Sequence, residues 1–138
     1  MKKLSLGVAI VCCSFGLAAQ QGMQAGMWEM TSEMKMPGMP MPVQKWSHCL
    51  SAQDLAAGKQ HSMDDGRSKC QMSDMKVSGS GYSYGFSCTS PDGKMSGKAS
   101  GNSTSTSYKT NITLKMVPDP GMGEINQLVT GRRTGDCK

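Results

Sequence analysis

The chain has 138 residues, a formal net charge of +5, 37% hydrophobic and 5% aromatic residues, with 17 Gly, 14 Met and 6 Cys. That length allows one domain and excludes most multi-domain enzymes. With Lys2 and Lys3 set aside as part of a leader, 13 basic residues face 10 acidic ones, a net +3 scattered along the sequence, which argues against a nucleic-acid partner.

Residues 1–19 have the three parts of a secretory signal: Lys2 and Lys3, an uncharged apolar run over 4–17, and the small residues Gly16, Ala18 and Ala19 before Gln20-Gln21. The run falls short of the roughly twenty residues that a spanning helix needs. Cleavage after Ala18 or Ala19 is expected, giving a periplasmic or secreted protein with no stable membrane insertion. Val11 and Cys12 precede the leader cysteines Cys12 and Cys13, where a lipid-anchoring signal would want small residues, so a lipid anchor is not expected. The single domain is then 20–138. It contains only 11 Leu, Ile, Val and Phe residues, few enough to suggest disorder unless something else holds the chain. Four cysteines and thirteen methionines are the available substitutes.

Past a polar lead-in, residues 27–36 alternate, with Trp28, Met30, Met34 and Met36 on one parity and Glu29, Glu33 and Lys35 on the other. Period two argues a half-buried strand. Met36-Pro37-Gly38-Met39-Pro40-Met41-Pro42 cannot continue it and is expected to be a loop. Residues 43–50 read as a second strand, with Trp46, His48 and Leu50 on one face and Lys45, Ser47 and Cys49 on the other. Ser51-Ala52-Gln53-Asp54 supplies an N-cap and an acid three residues later, which predicts one or two helical turns as far as Ala57. Residues 59–68 are polar and irregular. Strands follow at about 69–77, 82–89, 94–100, 105–117 and 124–132, separated by turn chemistry such as Ser90-Pro91-Asp92-Gly93. The expected fold is all-β: an antiparallel meander of about seven strands curled into an open barrel or sandwich, with one short helix.

Cys49, Cys70, Cys88 and Cys137 remain after the leader, an even count that reads as two disulfides in an exported chain. None is spaced as C-x-x-C, which disfavours a zinc knuckle or a redox pair. Folding residues 77–82 about Gly79-Ser80 opposes residue numbers that sum to about 159. Cys70 and Cys88 sum to 158, within one residue of facing, and this leaves Cys49 with Cys137.

Gly81-Tyr82-Ser83-Tyr84-Gly85 matches G-x-S-x-G, but a hydrolase elbow needs its serine on a strand-to-helix turn of a larger fold. Here the residues alternate as a strand, with Ser83 expected on the solvent face. His48 and Cys49 are adjacent on a strand and so point to opposite faces. His61 near Asp64 and Asp65 reads as a polar surface loop rather than a cation site. With no identifiable catalytic set, the chain is expected to be a non-enzyme without a cofactor. Methionine is the unusual signal: seven thioethers fall within residues 23–41. They suit an adaptable apolar core or binding surface. As soft donors they also suit copper, for which Met34, Met36, Met39 and Met41 are the candidate ligands.

Gly26-Met27-Trp28-Glu29, Met36-Pro37-Gly38-Met39-Pro40, Cys49-Leu50, Cys70, Cys88 and Arg133-Thr134-Gly135-Asp136-Cys137 occur in that order. The series resembles a family of short exported bacterial proteins, the domain of unknown function 3617, over essentially the whole mature chain. The resemblance implies a periplasmic or secreted β-rich domain and carries no catalytic residues with it. The expectation is a binding domain for a small apolar ligand or an envelope protein partner, with Cu(I) handling by the methionine loop as the alternative.

Overall fold

Period-two alternation along the sequence becomes a seven-stranded antiparallel sheet in the computed structural model, which describes residues 22–58 and 67–138. The leader, His61, Asp64 and Asp65 lie outside the described residues. The strands are β1 (Gly26–Lys35), β2 (Gln44–Leu50), β3 (Lys69–Ser78), β4 (Gly81–Ser90), β5 (Gly93–Ser103), β6 (Ser107–Val117) and β7 (Ile125–Gly135). One helix, α1 (Ala52–Ala56), follows β2. Ser51 and Asp54 form the capping box that the sequence predicts: the Asp54 N–H donates to Ser51 Oγ at 3.0 Å and the Ser51 N–H donates to the Asp54 carboxylate at 3.2 Å.

The sheet order is β2-β1-β7-β6-β5-β4-β3. Strands β3 to β7 form a meander, as expected. The seven strands form one open sheet, the open arrangement that the sequence reading expects, and among the described residues no second sheet makes a sandwich of it. β2 and β3, neighbours in sequence, become the two outer edges. The reason is that β1 is taken by β7: Trp28 to Lys35 run opposite Arg133 to Asn126, and β2 adds to the far side of β1.

Pairing sorts the side chains onto two faces. Trp28, Tyr82, Tyr84, Phe86, Ala99, Tyr108, Ile112, Leu114 and Ile125 are buried on one of them, the apolar face. Met23 from the lead-in, Met36 from the loop, Leu55 from α1 and Met122 from the β6–β7 connection pack at its margins. Most of the scarce aliphatic residues are thus spent on one surface, with Val117 and Leu128 left on the other, and methionine fills around it.

Both disulfides form as the sequence predicts. Cys70 and Cys88 are directly opposed across β3 and β4, with Cα atoms 4.0 Å apart. The one-residue discrepancy in the hairpin count is absorbed by a β-bulge. Lys76, Val77 and Ser78 pair in the register set by the turn, and the extra residue between Ser73 and Lys76 shifts Cys70 into line. Asp74, at φ 52°, carries the bulge; this left-handed region is one that Asp tolerates better than most side chains. Cys49 and Cys137, with Cα atoms 5.6 Å apart, tie β2 to the chain just past β7. The bond bridges β1, because Cys49 and Gly135 both sit opposite Met27.

Candidate functional site

β4 and β5 build the floor of the apolar face by opposing large residues to small ones. Tyr82, Tyr84 and Phe86 face Gly101, Ala99 and Gly97 respectively. A Cβ at Gly97 would lie 2.7 Å from Phe86 Cζ and would overlap the Thr113 carbonyl oxygen, so the close approach requires glycine there. With no side chain at Gly101, the Tyr82 hydroxyl reaches across to share a hydrogen bond with the Thr110 hydroxyl on β6. The Tyr82 ring stacks on Tyr84 and Tyr108 at centroid distances of 6.4 and 6.2 Å. Burial pushes the Tyr82 phenol far above its ordinary range and the Tyr84 phenol up to about 12. Both are therefore neutral at physiological pH and serve as a floor rather than as acids or bases.

Trp28 is fully buried, and its Nε1–H donates to the Gln24 carbonyl at 3.0 Å. The lead-in that the sequence marks only as polar is thus a cover for one end of the sheet. Gln24 N–H donates to Ser105 O at 2.9 Å, and Arg133 Nε–H donates to Ala25 O at 2.9 Å.

The apolar rows continue outward to both edges, where they emerge into solvent. On β2, Trp46 sits opposite Met30 and is 44% exposed. On β3, Met72 opposes Phe86 and Val77 opposes Tyr82, and they are 49% and 65% exposed. Large apolar side chains at both rims thus share a face with the aromatic floor.

The methionine loop divides into two parts. Met36-Pro37-Gly38-Met39 is a tight turn, with the Met39 N–H donating to Met36 O at 3.3 Å and Gly38 at φ 75°. Proline followed by a positive-φ glycine is the arrangement of a type II turn. Met34 and Met36 pack against the core, whereas Met39 and Met41 are exposed. The turn draws Met36 and Met39 together and leaves the four candidate ligands split between core and solvent. Among the described residues, no group of three His, Cys, Asp or Glu side chains could hold a metal ion.

Ser83 lies within β4 on the face opposite Tyr82 and Tyr84, not on a strand-to-helix turn. His48 is exposed on the face of Trp28, and Cys49 points to the other. Sequence reasoning missed the alternation Gly97-x-Ala99-x-Gly101; small residues at period two beside an aromatic strand were the available signal.

These features define a disulfide-stapled open antiparallel sheet with one apolar face that reaches both edges. Two disulfides are those of a chain that folds in an oxidising, extracytoplasmic environment. Residues 23–137 match the profile of a family described as protein of unknown function (DUF3617), and the chain belongs to that family. No curated protein and no solved structure matches it. Among the described residues, no helix is long and apolar enough to cross a membrane.

Proposed function

We propose that this is a non-enzymatic binding domain of the periplasm or the secreted fraction, which holds a small apolar molecule on its open apolar face. The observation that carries the reading is the position of Trp46 on one rim and of Met72 and Val77 on the other, all on the face of the aromatic floor and all solvent-exposed. Exposed apolar area is worth about 25 cal/mol per Å² when covered, and contiguous patches of it mark interaction sites. Thioether and indole side chains suit a ligand of variable shape. An envelope protein presenting an apolar segment would use the same rims.

Native mass spectrometry of protein purified from the source envelope tests this. The expected result is a mature chain beginning at Ala19 or Gln20 that carries a retained small molecule, released on denaturation and lost in a Trp46→Ala/Val77→Ser variant. The bare chain alone, in both parent and variant, would contradict the reading.

Cu(I) handling is the second reading, and what favours it is the turn that brings Met36 and Met39 together. Stoichiometric Cu(I) binding under reducing conditions should then vanish in a Met36/Met39/Met41→Leu variant, because Leu keeps apolar bulk and removes the donor. Undiminished binding in that variant, or none in the parent, would dismiss copper.

A further inference from the structure

Lysines that look scattered along the sequence are gathered by the strand register onto one surface. Lys35, Lys45, Lys69 and Lys76 on β1 to β3 all point to the face opposite the aromatic floor. So do Lys94, Lys98, Lys109, Lys115 and Arg132 on β5 to β7. The strand-borne acids on that face are Glu29 and Glu33, while most other acids of the described residues, such as Asp54, Asp92, Asp119 and Asp136, lie outside the strands. A solvated sheet face requires polarity, not one sign of charge, so this segregation exceeds what folding demands. It also carries a repulsive cost. The register limits that cost by setting cations opposite small polar residues: Lys76 faces Ser83, Lys98 faces Thr113, and Lys109 faces Asn102. Lys115 and Arg132 are neutralised by Glu124 and Glu29. Lys76, Lys98 and Lys109 have no ion pair among the described residues.

Lys76 lines a shallow, open depression of about 430 Å³ on the same face; Lys98 and Lys109 flank it on that face, two residues along their strands from Ser100 and Asn111. Its polar side chains are Lys76, Ser78, Ser83, Ser100, Asn102 and Asn111; Gly81, Gly101 and Tyr82, whose ring is buried on the other face, complete the lining. Strand spacings of about 4.8 Å put Lys76 and Lys109 roughly 15 Å apart at the backbone, on either side of the hydroxyls and amides. Glu33 lies beyond Asn111, across β7 in the same cross-strand row, which leaves the Lys76 end the more positive.

We propose that this depression binds a sugar unit bearing an anionic group, a carboxylate, sulfate or phosphate, as part of an anionic glycan. Lysines supply attraction to the charge, and serine hydroxyls and asparagine amides pair with the sugar hydroxyls in both senses, as donors and acceptors. The volume is in the range of small-ligand sites. Every aromatic ring of the described residues is on the other face, so this surface lacks both the stacking platform of a single-strand nucleic-acid site and the aromatic anchor of a membrane-docking one. The inference is independent of what the apolar face holds.

The test is titration of the mature protein with a size-defined sulfated oligosaccharide. Its unsulfated counterpart, an oligonucleotide and vesicles of anionic phospholipid serve as parallel probes. Binding to the sulfated sugar is expected to fall at least tenfold in Lys76→Gln/Lys109→Gln. It should fall several-fold in the charge-neutral Asn102→Ala/Asn111→Ala, and less than twofold in Lys69→Gln/Lys94→Gln, which removes the same charge at the far end of the sheet. Far-UV circular dichroism and intact disulfides verify that each variant is folded. Equal losses in the two lysine pairs would show diffuse attraction and overturn the site. So would tighter binding to the oligonucleotide or the vesicles, or no binding to the sulfated sugar.

Discussion

Gly97 and Gly85 are two residues of similar appearance in sequence and opposite consequence in the fold. At Gly97 an added methyl meets the Phe86 ring and the Thr113 carbonyl, neither of which can withdraw without moving β4 or β6. At Gly85 the close atom is Ser73 Oγ at 2.8 Å, which rotates away. Overpacking a fixed site costs about 1–3 kcal/mol. Gly97→Ala should therefore lose about 2–3 kcal/mol in urea unfolding, and Gly85→Ala less than about 1 kcal/mol. The buried phenols give a second residue-scale expectation. Burial raises the Tyr84 pKa to about 12, above the value of about 10 that it has in the unfolded chain. The stabilisation from keeping it neutral is fully present below pH 10 and is lost as pH rises through about 12. Thermal melts should fall steeply across that window. Phenolate absorbance of Tyr82 and Tyr84 should appear only with unfolding, and a Tyr84→Phe variant should soften the alkaline loss. Smooth phenol titration near pH 10 in the folded protein would contradict their burial.

Among the elements, the two disulfides do unequal work because they close loops of different length. Separations of 88 and 18 residues correspond to about 4.5 and about 3 kcal/mol in the chain-entropy model. The Cys49→Ala/Cys137→Ala variant should thus be less stable than Cys70→Ala/Cys88→Ala, by about 1–1.5 kcal/mol in denaturant unfolding. Removing the longer staple also releases β2 and the terminus from either side of β1. Much at this scale was legible: alternation located all seven strands to within a few residues, the capping box located α1, and hairpin arithmetic came within one residue of the Cys70–Cys88 register. What escaped were the non-local choices. Nothing near Trp28 says that its strand prefers β7 to a closing partner. The bulge at Asp74 has no local signature, because Asp is an ordinary residue in such a strand until the register forces φ positive.

The whole molecule divides its chemistry between the two faces of one sheet. Aromatic side chains and most of the methionines of the strands lie on one face and run out to both edges, while lysines and small polar residues dominate the other, which also carries Met27, Cys49, Val117 and Leu128. Net charge concealed this arrangement, since loop acids cancel most of the strand lysines in any sum over the chain. The methionine signal was legible as composition but not as place: Met34 and Met36 serve the core, and Met39 and Met41 stand in solvent. The edges are protected against strand-to-strand association in ways common to open sheets. β3 has its bulge and Lys69 and Lys76, and Pro42 precedes β2. The apolar rims are therefore available to a ligand without inviting a second copy to extend the sheet.

That the open apolar face binds is the central claim, and Trp46 reports on it directly. The chain has 2 Trp residues; Trp28 is fully buried, whereas Trp46 is 44% exposed at the rim. Tryptophan emission should be followed while the mature protein is titrated with a single-chain amphiphile kept below its micelle-forming concentration. The account predicts a saturable blue shift as Trp46 is covered, absent in Trp46→Phe and weakened in Val77→Ser at the opposite rim. An emission spectrum unchanged to saturation, or a shift that persists in Trp46→Phe, would contradict it.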